Sequence, residues 1–404
     1  MIRAGTGLST QADHLRAASE AAGAAMARLG EGAGRGPAEA DALLVFISGW
    51  RSSDLVPMLD SIRSICGTAN LAGCSGSGVI TESAEVEGSP GVAILAIASD
   101  TLQATSLHAR DLKGKDREVG RELGRIAEPL LGDNPILLIF PDTLCCNPEA
   151  LLSGIRDVIG PVPVVGGGAA PGGSAGKVTH QFCGGAALTN AVSGMVLTGR
   201  IVSSVGVTQS CLPVGRPLRV TRSQGNAIRT LDGAPAVRAL LECLTGGPGH
   251  DLSVDAQRLA SHLFLAFPSR GATEIPRGQY LVRNILGVDP EDGAIFVGQE
   301  MHEGDLVSFA LRDPDGARED LKAMIEESVP IAGRPDMGLY FNCCARGKGL
   351  YGLAGIDTAF ISNAFAGVPL AGFFGLAEIA PVRGQARLHN YAGVMVLVSE
   401  APES

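Results

Sequence analysis

Short apolar runs that stop at glycine recur along this chain, with helical patterns between them. Leu43-Leu44-Val45-Phe46-Ile47 predicts a buried strand, and Leu55, Met58, Leu59, Ile62 and Ile65 follow at the spacing of a helix face. Leu71-Ala72 then runs into Gly73-Cys74-Ser75-Gly76-Ser77-Gly78, and Gly91 to Ile97 predicts a closing strand. The order returns 93 positions later, taking Leu44 to Leu137, Gly73 to Gly166 and Gly91 to Gly184 without a gap. Leu59/Leu152, Ile62/Ile155, Arg63/Arg156, Gly67/Gly160 and Leu95/Leu188 are identical pairs in that register, and Asn147–Ile159 becomes the counterpart helix. A unit opening at Gly338 reads as a third copy with a longer first loop. The pattern predicts an α/β fold of repeated strand–helix–strand modules, forming mixed sheets in two related lobes.

Elsewhere the signals are simpler. Ala12 to Leu29 reads as an Ala-rich helix capped by Thr10, followed by a glycine-rich linker from Gly30 to Pro37. Between the second and third copies, Ile201–Val207, Leu218–Val220, Leu263–Phe267, Tyr280–Leu286, Ala294–Val297 and Val307–Leu311 read as strands. Ala234–Leu244 and Asp315–Glu327 read as helices. Thr245-Gly-Gly-Pro-Gly249 sets a boundary, giving an N-terminal strand, helix and linker over 1–39 and domains over 40–245 and 250–400.

Composition narrows the function classes. A chain of 404 residues, 45% hydrophobic and 18% charged, can bury substantial cores. A net charge of −10 without a Lys/Arg cluster argues against nucleic acid as a partner. Nine cysteines at irregular spacing do not form a disulfide framework. No signal-peptide core and no membrane-spanning run is visible, so the expectation is a cytoplasmic protein without a membrane partner.

Candidate chemistry concentrates near the C-terminus. The run from Gly338 ends in Cys343-Cys344-Ala345-Arg346-Gly347-Lys348-Gly349, and that from Val368 ends in Gly372-Phe373-Phe374-Gly375, with Glu378 just beyond. Two strands of one module would bring both loops to one sheet edge, where open α/β sheets bind ligands. Arg346 suits a carboxylate and Glu378 an ammonium group, so Cys343, Arg346, Glu378 and His389 are expected around one cavity. Gly73-Cys74-Ser75 offers backbone N–H donors in the first module, without the features of a P-loop or a dinucleotide fingerprint. His180 and His389 each precede an amide residue, an aromatic one and, four positions on, a glycine. Plain alternatives stand beside these readings: tight turns, a solvated cation, structural histidines. Adjacent cysteines at 145–146 and 343–344 do not suit zinc, and no metal site is expected. No catalytic constellation is visible, although a thiol at Cys343 or Cys344 with His389 as base stays open.

Phe341-Asn-Cys-Cys-Ala-Arg-Gly-Lys-Gly349, Gly372-Phe-Phe-Gly-Leu-Ala-Glu-Ile-Ala-Pro381 and Leu388-His-Asn-Tyr391 resemble the C-terminal half of the FIST sensory domain. Ala345 and Ala380 stand where that pattern usually has glycine. Val205-Gly-Val-Thr-Gln-Ser210, Pro213 to Leu218 and Tyr280 to Asp289 resemble further FIST segments. The resemblance implies a small-ligand-binding sensory protein in signal transduction, whose ligand is an amino acid or related small carboxylate. It also implies output through a separate partner such as a histidine kinase. Motifs and resemblance together set the ligand-binding candidates as Cys343, Arg346, Gly347, Gly349, Gly372, Phe373, Phe374, Gly375, Glu378, His389, Gly73, Cys74, Ser75 and His180. No cofactor is expected, with one alternative within the family: a haem sensor of nitric oxide ligated by His180 or His389.

Overall fold

Three copies of one module, strand–helix–strand–helix–strand–hairpin–strand, build most of the protein. The structure is a computed structural model that describes residues 1–31, 39–172, 178–245, 263–268, 271–289 and 291–402. The linker stretch after Glu31 and the glycines of 246–249 therefore lie outside the described residues. Contacts divide the chain into two units: Met1–Val207, Leu321–Leu388 and Ala392–Ser404 in one, Thr208–Asp320 and His389–Tyr391 in the other.

The first module runs β1 (Ile2–Ser9), α1 (His14–Gly30), β2 (Ala42–Ser48), α2 (Ser52–Cys66), β3 (Leu71–Ser75), β4 (Gly78–Thr81), β5 (Ala84–Glu87) and β6 (Gly91–Ser99). The second runs β7 (Leu102–Arg110), α3 (Asp116–Ala127), β8 (Ile136–Pro141), α4 (Pro148–Ile159), β9 (Val164–Gly168), β10 (Gln181–Cys183), β11 (Ala186–Leu188) and β12 (Ala191–Gly199). The third opens with β13 (Ile201–Gln209), after which the chain runs through the second unit. That unit holds β14 (Cys211–Gln224), β15 (Ala227–Leu231), β16 (Ala234–Pro235), α5 (Ala236–Thr245), β17 (Leu263–Pro268), β18 (Tyr280–Asp289), β19 (Ala294–Val297) and β20 (Leu306–Arg312). The third module resumes through α6 (Pro314–Ala332), β21 (Met337–Cys343), α7 (Ile356–Ala364), β22 (Leu370–Gly375), β23 (Ala377–Val382), β24 (Gln385–His389) and β25 (Ala392–Glu400). Helix α1 starts later than its pattern suggests, because the Asp13 carboxylate, not Thr10, accepts the Arg16 N–H at 2.9 Å.

Each module forms a mixed sheet around one parallel pair: β2 with β3, β8 with β9, β21 with β22. The hairpins, however, change places. β4–β5 extends the sheet at β22, β10–β11 extends it at β3, and β23 extends it at β9. Each six-stranded sheet is thus completed by another module. The second unit is a seven-stranded antiparallel sheet in the order β14-β20-β17-β18-β19-β15-β16, with α5 residues Ala236 and Leu240 packed on Leu265, Ile295 and Phe309.

The close approach of the parallel strands explains the repeated glycines. In the ladders Val45 faces Gly73, Ile139 faces Gly166 and Tyr340 faces Gly372. A Cβ at those glycines would fall 1.8, 2.0 and 1.7 Å from the facing carbonyl oxygen. The next residues, Phe46, Phe140 and Phe341, meet at the centre with ring centroids 5.5, 5.7 and 6.3 Å apart. Phe373 stacks on Phe46 at 5.0 Å and reaches the space left open by Gly167.

This register corrects the gapless repeat. The offset is 93 at the glycines but 94 at Phe46/Phe140, and 100 in the closing strands, where Phe46 faces Ala93 and Phe140 faces Ser193. Gly184 lies in the β10–β11 turn at φ 58°, and Leu188 in β11, so neither matches its assigned partner. A long connection between β9 and β10, where β3 and β4 have a short one, takes up the difference.

Candidate functional site

A cavity of about 370 Å³ opens where the carboxyl ends of β2 and β3 meet the start of α2. Its walls are Ile47, Trp50, Arg51, Ser52, Ser53, Leu55, Ser75, Gly172, Val178 and His180. Local sequence fixes this geometry. The apolar run of β2 ends at Ser48, and Arg51 takes the extended N-cap conformation (φ −77°, ψ 152°) before Ser52 begins the helix. The Asp54 carboxylate accepts the Arg51 N–H at 3.2 Å and the Ser53 hydroxyl at 3.1 Å. The N–H groups of the first turn lack helical acceptors, as at every helix start, and carry the positive end of the helix dipole.

Across the cavity, Ser75 and His180 clasp each other through the backbone. The Ser75 N–H donates to the His180 carbonyl at 2.8 Å, and the His180 N–H donates to Ser75 Oγ at 2.9 Å. The Ser75 hydroxyl in turn donates to the Ala170 carbonyl at 2.7 Å, so its proton is committed. His180 is only 8% exposed as a residue, and its imidazole lines the cavity with no hydrogen-bond partner among the described residues. Burial pushes its pKa down, and the Asp142 carboxylate pulls the other way. A guanidinium, a helix start, the Ser52 hydroxyl, an imidazole and an indole around one small space can hold an anion against an aromatic wall.

The C-terminal candidates do other things. Arg346 is fully buried, and the carboxylate it holds is internal: Nε and Nη2 donate to Asp357 at 3.0 and 3.1 Å. Asp357 also accepts from Tyr340 (2.8 Å), Asn342 (3.0 Å) and Tyr351 (2.8 Å). Desolvation would raise the Asp357 pKa, but Arg346 and the two tyrosine hydroxyls outweigh it and keep the carboxyl below its usual value. The role read for Arg346, a clamp on a ligand, is therefore corrected. Glu378 is fully buried in β23, where Oε2 accepts the Ala392 N–H at 3.2 Å. Burial, and secondarily the Cys343 thiol beside it, lift its pKa far above the ordinary range. A neutral acid there cannot serve as the counter-ion of an ammonium group. His389 belongs to the second unit, where Nδ1 lies 3.4 Å from Gln209 Nε2. Cys343, Arg346 and Glu378 do not line the cavity over β2 and β3.

The remaining candidates divide between scaffold and site. Gly73 and Gly372 serve the strand register, while Cys74, Phe373 and Phe374 are core. Gly375 lies against the Gly168 carbonyl. Gly347 turns the chain at φ 55° ahead of Lys348, whose N–H donates to Glu87 at 2.9 Å, and Gly349 is exposed in the short turn beyond. Only Ser75 and His180 of the fourteen line the cavity. The apparent match of His180 with His389 fails, since Gln181 faces Cys74 as Glu378 faces Gly167. The counterpart of His180 is Ala377, and His389 ends β24. Of the thiols, Cys343 is buried and Cys344 exposed, Cys145 donates to Asn190 Oδ1 at 3.2 Å, and desolvation pushes Cys146 up to about 12. The sequence reading passed over Trp50, Arg51, Ser52 and Ser53 as a site. Their signal was a short polar stretch after Gly49, between a strand and a helix.

The FIST N domain model matches residues 41–234 and the FIST C domain model residues 236–381. The chain belongs to the FIST family. FIST domains are associated with small-ligand-binding sensory signalling. The chain is 32% identical over 401 residues to the uncharacterised protein Rv0628c of Mycobacterium tuberculosis, covering 98% of this chain and 99% of that one. It is 30% identical over 405 residues to the uncharacterised protein Mb0898c of Mycobacterium bovis, covering 98% of each. Among solved structures, a cyanuric acid hydrolase aligns over 99% of this chain and 100% of its own, at 9% identity and a TM-score of 0.39. The cyanuric acid hydrolase from A. caulinodans aligns over 100% of both at 10% identity and 0.36. Among the described residues no helix is long and apolar enough to cross a membrane, and no cluster of three or more His, Cys, Asp or Glu is placed to hold a metal ion.

Proposed function

We propose that this FIST protein senses a small carboxylate, bound in the cavity over β2, β3 and α2. One observation carries the reading: His180, a buried residue whose imidazole has no hydrogen-bond partner among the described residues, lines the same space as Arg51 and the first turn of α2. A carboxylate placed there accepts from Arg51 and from the Ser52 and Ser53 N–H groups, and draws a proton bond from His180. Trp50 supplies a flat wall for the carbon skeleton. The committed Ser75 proton and the buried Cys343 favour binding over catalysis. Haem at His180 is the weaker alternative, since Arg51, Ser52, Ser53 and Ser75 offer polar walls to a flat apolar macrocycle. Output passes in this reading to a separate signalling protein.

Calorimetry against a panel of small carboxylates tests the proposal. Hydrogen bonds to a charged group contribute about 1.5–3 kcal/mol, or about 10- to 150-fold in affinity. Arg51→Gln and His180→Leu should each weaken the best ligand within that range, while Arg346→Lys leaves affinity unchanged in whatever fraction folds. Equal affinity in wild type, Arg51→Gln and His180→Leu would remove this cavity from consideration.

A further inference from the structure

A second cavity of about 340 Å³ adjoins the first, and Gly172 lines both. Gly49, in the wall of the second, is the chain neighbour of Trp50, in the wall of the first. We propose that the two cavities form one groove, and that its ligand is a carboxylate carrying an uncharged hydrogen-bonding group at its far end and no ammonium group. The inference rests on the carboxylate reading of the first cavity and specifies the ligand class further.

Three features carry it. Gly172 stands at the seam, where a Cβ would lie 3.4 Å from Ser75 Cβ and 3.7 Å from the Gly49 nitrogen. These are ordinary contacts, and its φ is not in the left-handed region, so the backbone accepts a side chain there. What glycine provides at this position is passage. Next, the second cavity has no charged side chain among its described lining residues: it is formed at Ser77, Ser89, Pro90 and Pro171 beside the two glycines and Gly88. Ser77 spends its hydroxyl proton on the Phe374 carbonyl at 3.1 Å, which leaves its oxygen as an acceptor. A carboxamide or hydroxyl can donate to it; a second carboxylate cannot. Third, neither cavity has an Asp or Glu among its described lining residues. The ammonium of a free amino acid would sit near the Arg51 guanidinium with no carboxylate in the described walls to pair with it directly, an arrangement that costs affinity.

Butyrate, glutaramate and L-glutamine separate these features, because glutaramate is glutamine without its ammonium group and butyrate lacks the amide. Titration of the full chain can be read calorimetrically or by Trp50, the one tryptophan. Wild type should bind glutaramate about tenfold or more tightly than either of the others. Gly172→Leu should abolish the preference for glutaramate over butyrate, whatever it does to butyrate itself, while Gly172→Ala, the control for folding, retains the preference. Glutamine binding as tightly as glutaramate would overturn the inference, as would a Gly172→Leu effect that is equal for all three ligands or nil. Arg51→Gln keeps the two readings apart. If it weakens every ligand while length and charge go unrecognised, the carboxylate site stands and the groove falls. If none of the three binds to wild type, both fall.

Discussion

Replacing Asp357 by Ala is the sharpest test of how the C-terminal motif is used. The carboxylate accepts five hydrogen bonds, two from Arg346 and one each from Tyr340, Asn342 and Tyr351, and both ion-pair side chains have no exposed surface. Removing it leaves a fully buried guanidinium without its ion-pair partner. Breaking a buried pair from one side costs about 3–5 kcal/mol, because the surviving charge keeps its desolvation penalty. In a unit larger than about 250 residues, such as the one that holds Asp357, 1 kcal/mol corresponds to about 2 °C. The melting temperature should therefore fall by roughly 5–10 °C. Arg346→Ala should fall comparably. The double change Arg346→Met with Asp357→Leu should recover part of the loss, since apolar residues of similar volume need no counter-charge. Differential scanning calorimetry gives the shifts, and carboxylate titration of the surviving folded protein shows whether the cavity still binds. A drop below about 2 °C in Asp357→Ala would refute the structural role. So would Arg346→Ala that melts normally and has lost its ligand.

Two further outcomes follow from buried groups. Glu378 keeps its proton in the folded protein well above the ordinary value of 4.5, so its stabilising effect is complete below that pH and declines as pH rises towards the raised folded value. Glu378→Gln mimics the neutral acid, and its urea midpoint should exceed that of wild type near pH 8 and match it near pH 4; a constant difference across that range would contradict the assignment. Gly166→Ala drives a Cβ to 2.0 Å from the Ile139 carbonyl at φ 149°, and should cost more than the about 1–3 kcal/mol of ordinary overpacking. Gly23→Ala, on a helix position with open space around it, should instead gain about 0.5–1 kcal/mol; equal urea midpoints for the two variants would refute the account of the glycine register.

Elements were legible where the chain supplies its own partner or a strong period. The face Leu55, Met58, Leu59 and Ile62 is the buried face of α2, and the Gly67/Gly160 match is real because both glycines end equivalent helices at positive φ. The closing strand of the second copy was misplaced because a gapless register cannot see a longer loop, and in a Gly/Ala-rich chain chance identities such as Leu95/Leu188 fill the gap. Hairpin exchange left no trace in hydrophobic period, which says which face is buried and not which edge is joined. Arg346 was recognised as important, but its carboxylate is Asp357, eleven positions on and hidden in a helical stretch. His180 and Ser75 came into view through their glycine-rich neighbourhoods. Arg51 did not, because a single exposed arginine at a helix start looks like ordinary surface until the fold brings His180 to the same space.

The exchanged hairpins also set an order of events during synthesis. β4 and β5 leave the ribosome early, yet the edge they join, β22, is made late: Ser77 bonds Phe374 across 297 positions. Closing so long a loop is slow relative to local pairing, and until then the hairpin has no sheet to extend. Its side chains suit the wait. Glu82, Glu85 and Glu87 keep a lone edge charged and discourage it from pairing with other chains. When the last module arrives the same three carboxylates become clasps: Glu82 takes the Leu370 N–H, Glu85 those of Gly355 and Thr358, and Glu87 that of Lys348. The acids that protect the nascent chain are thus the ones that fasten its final third.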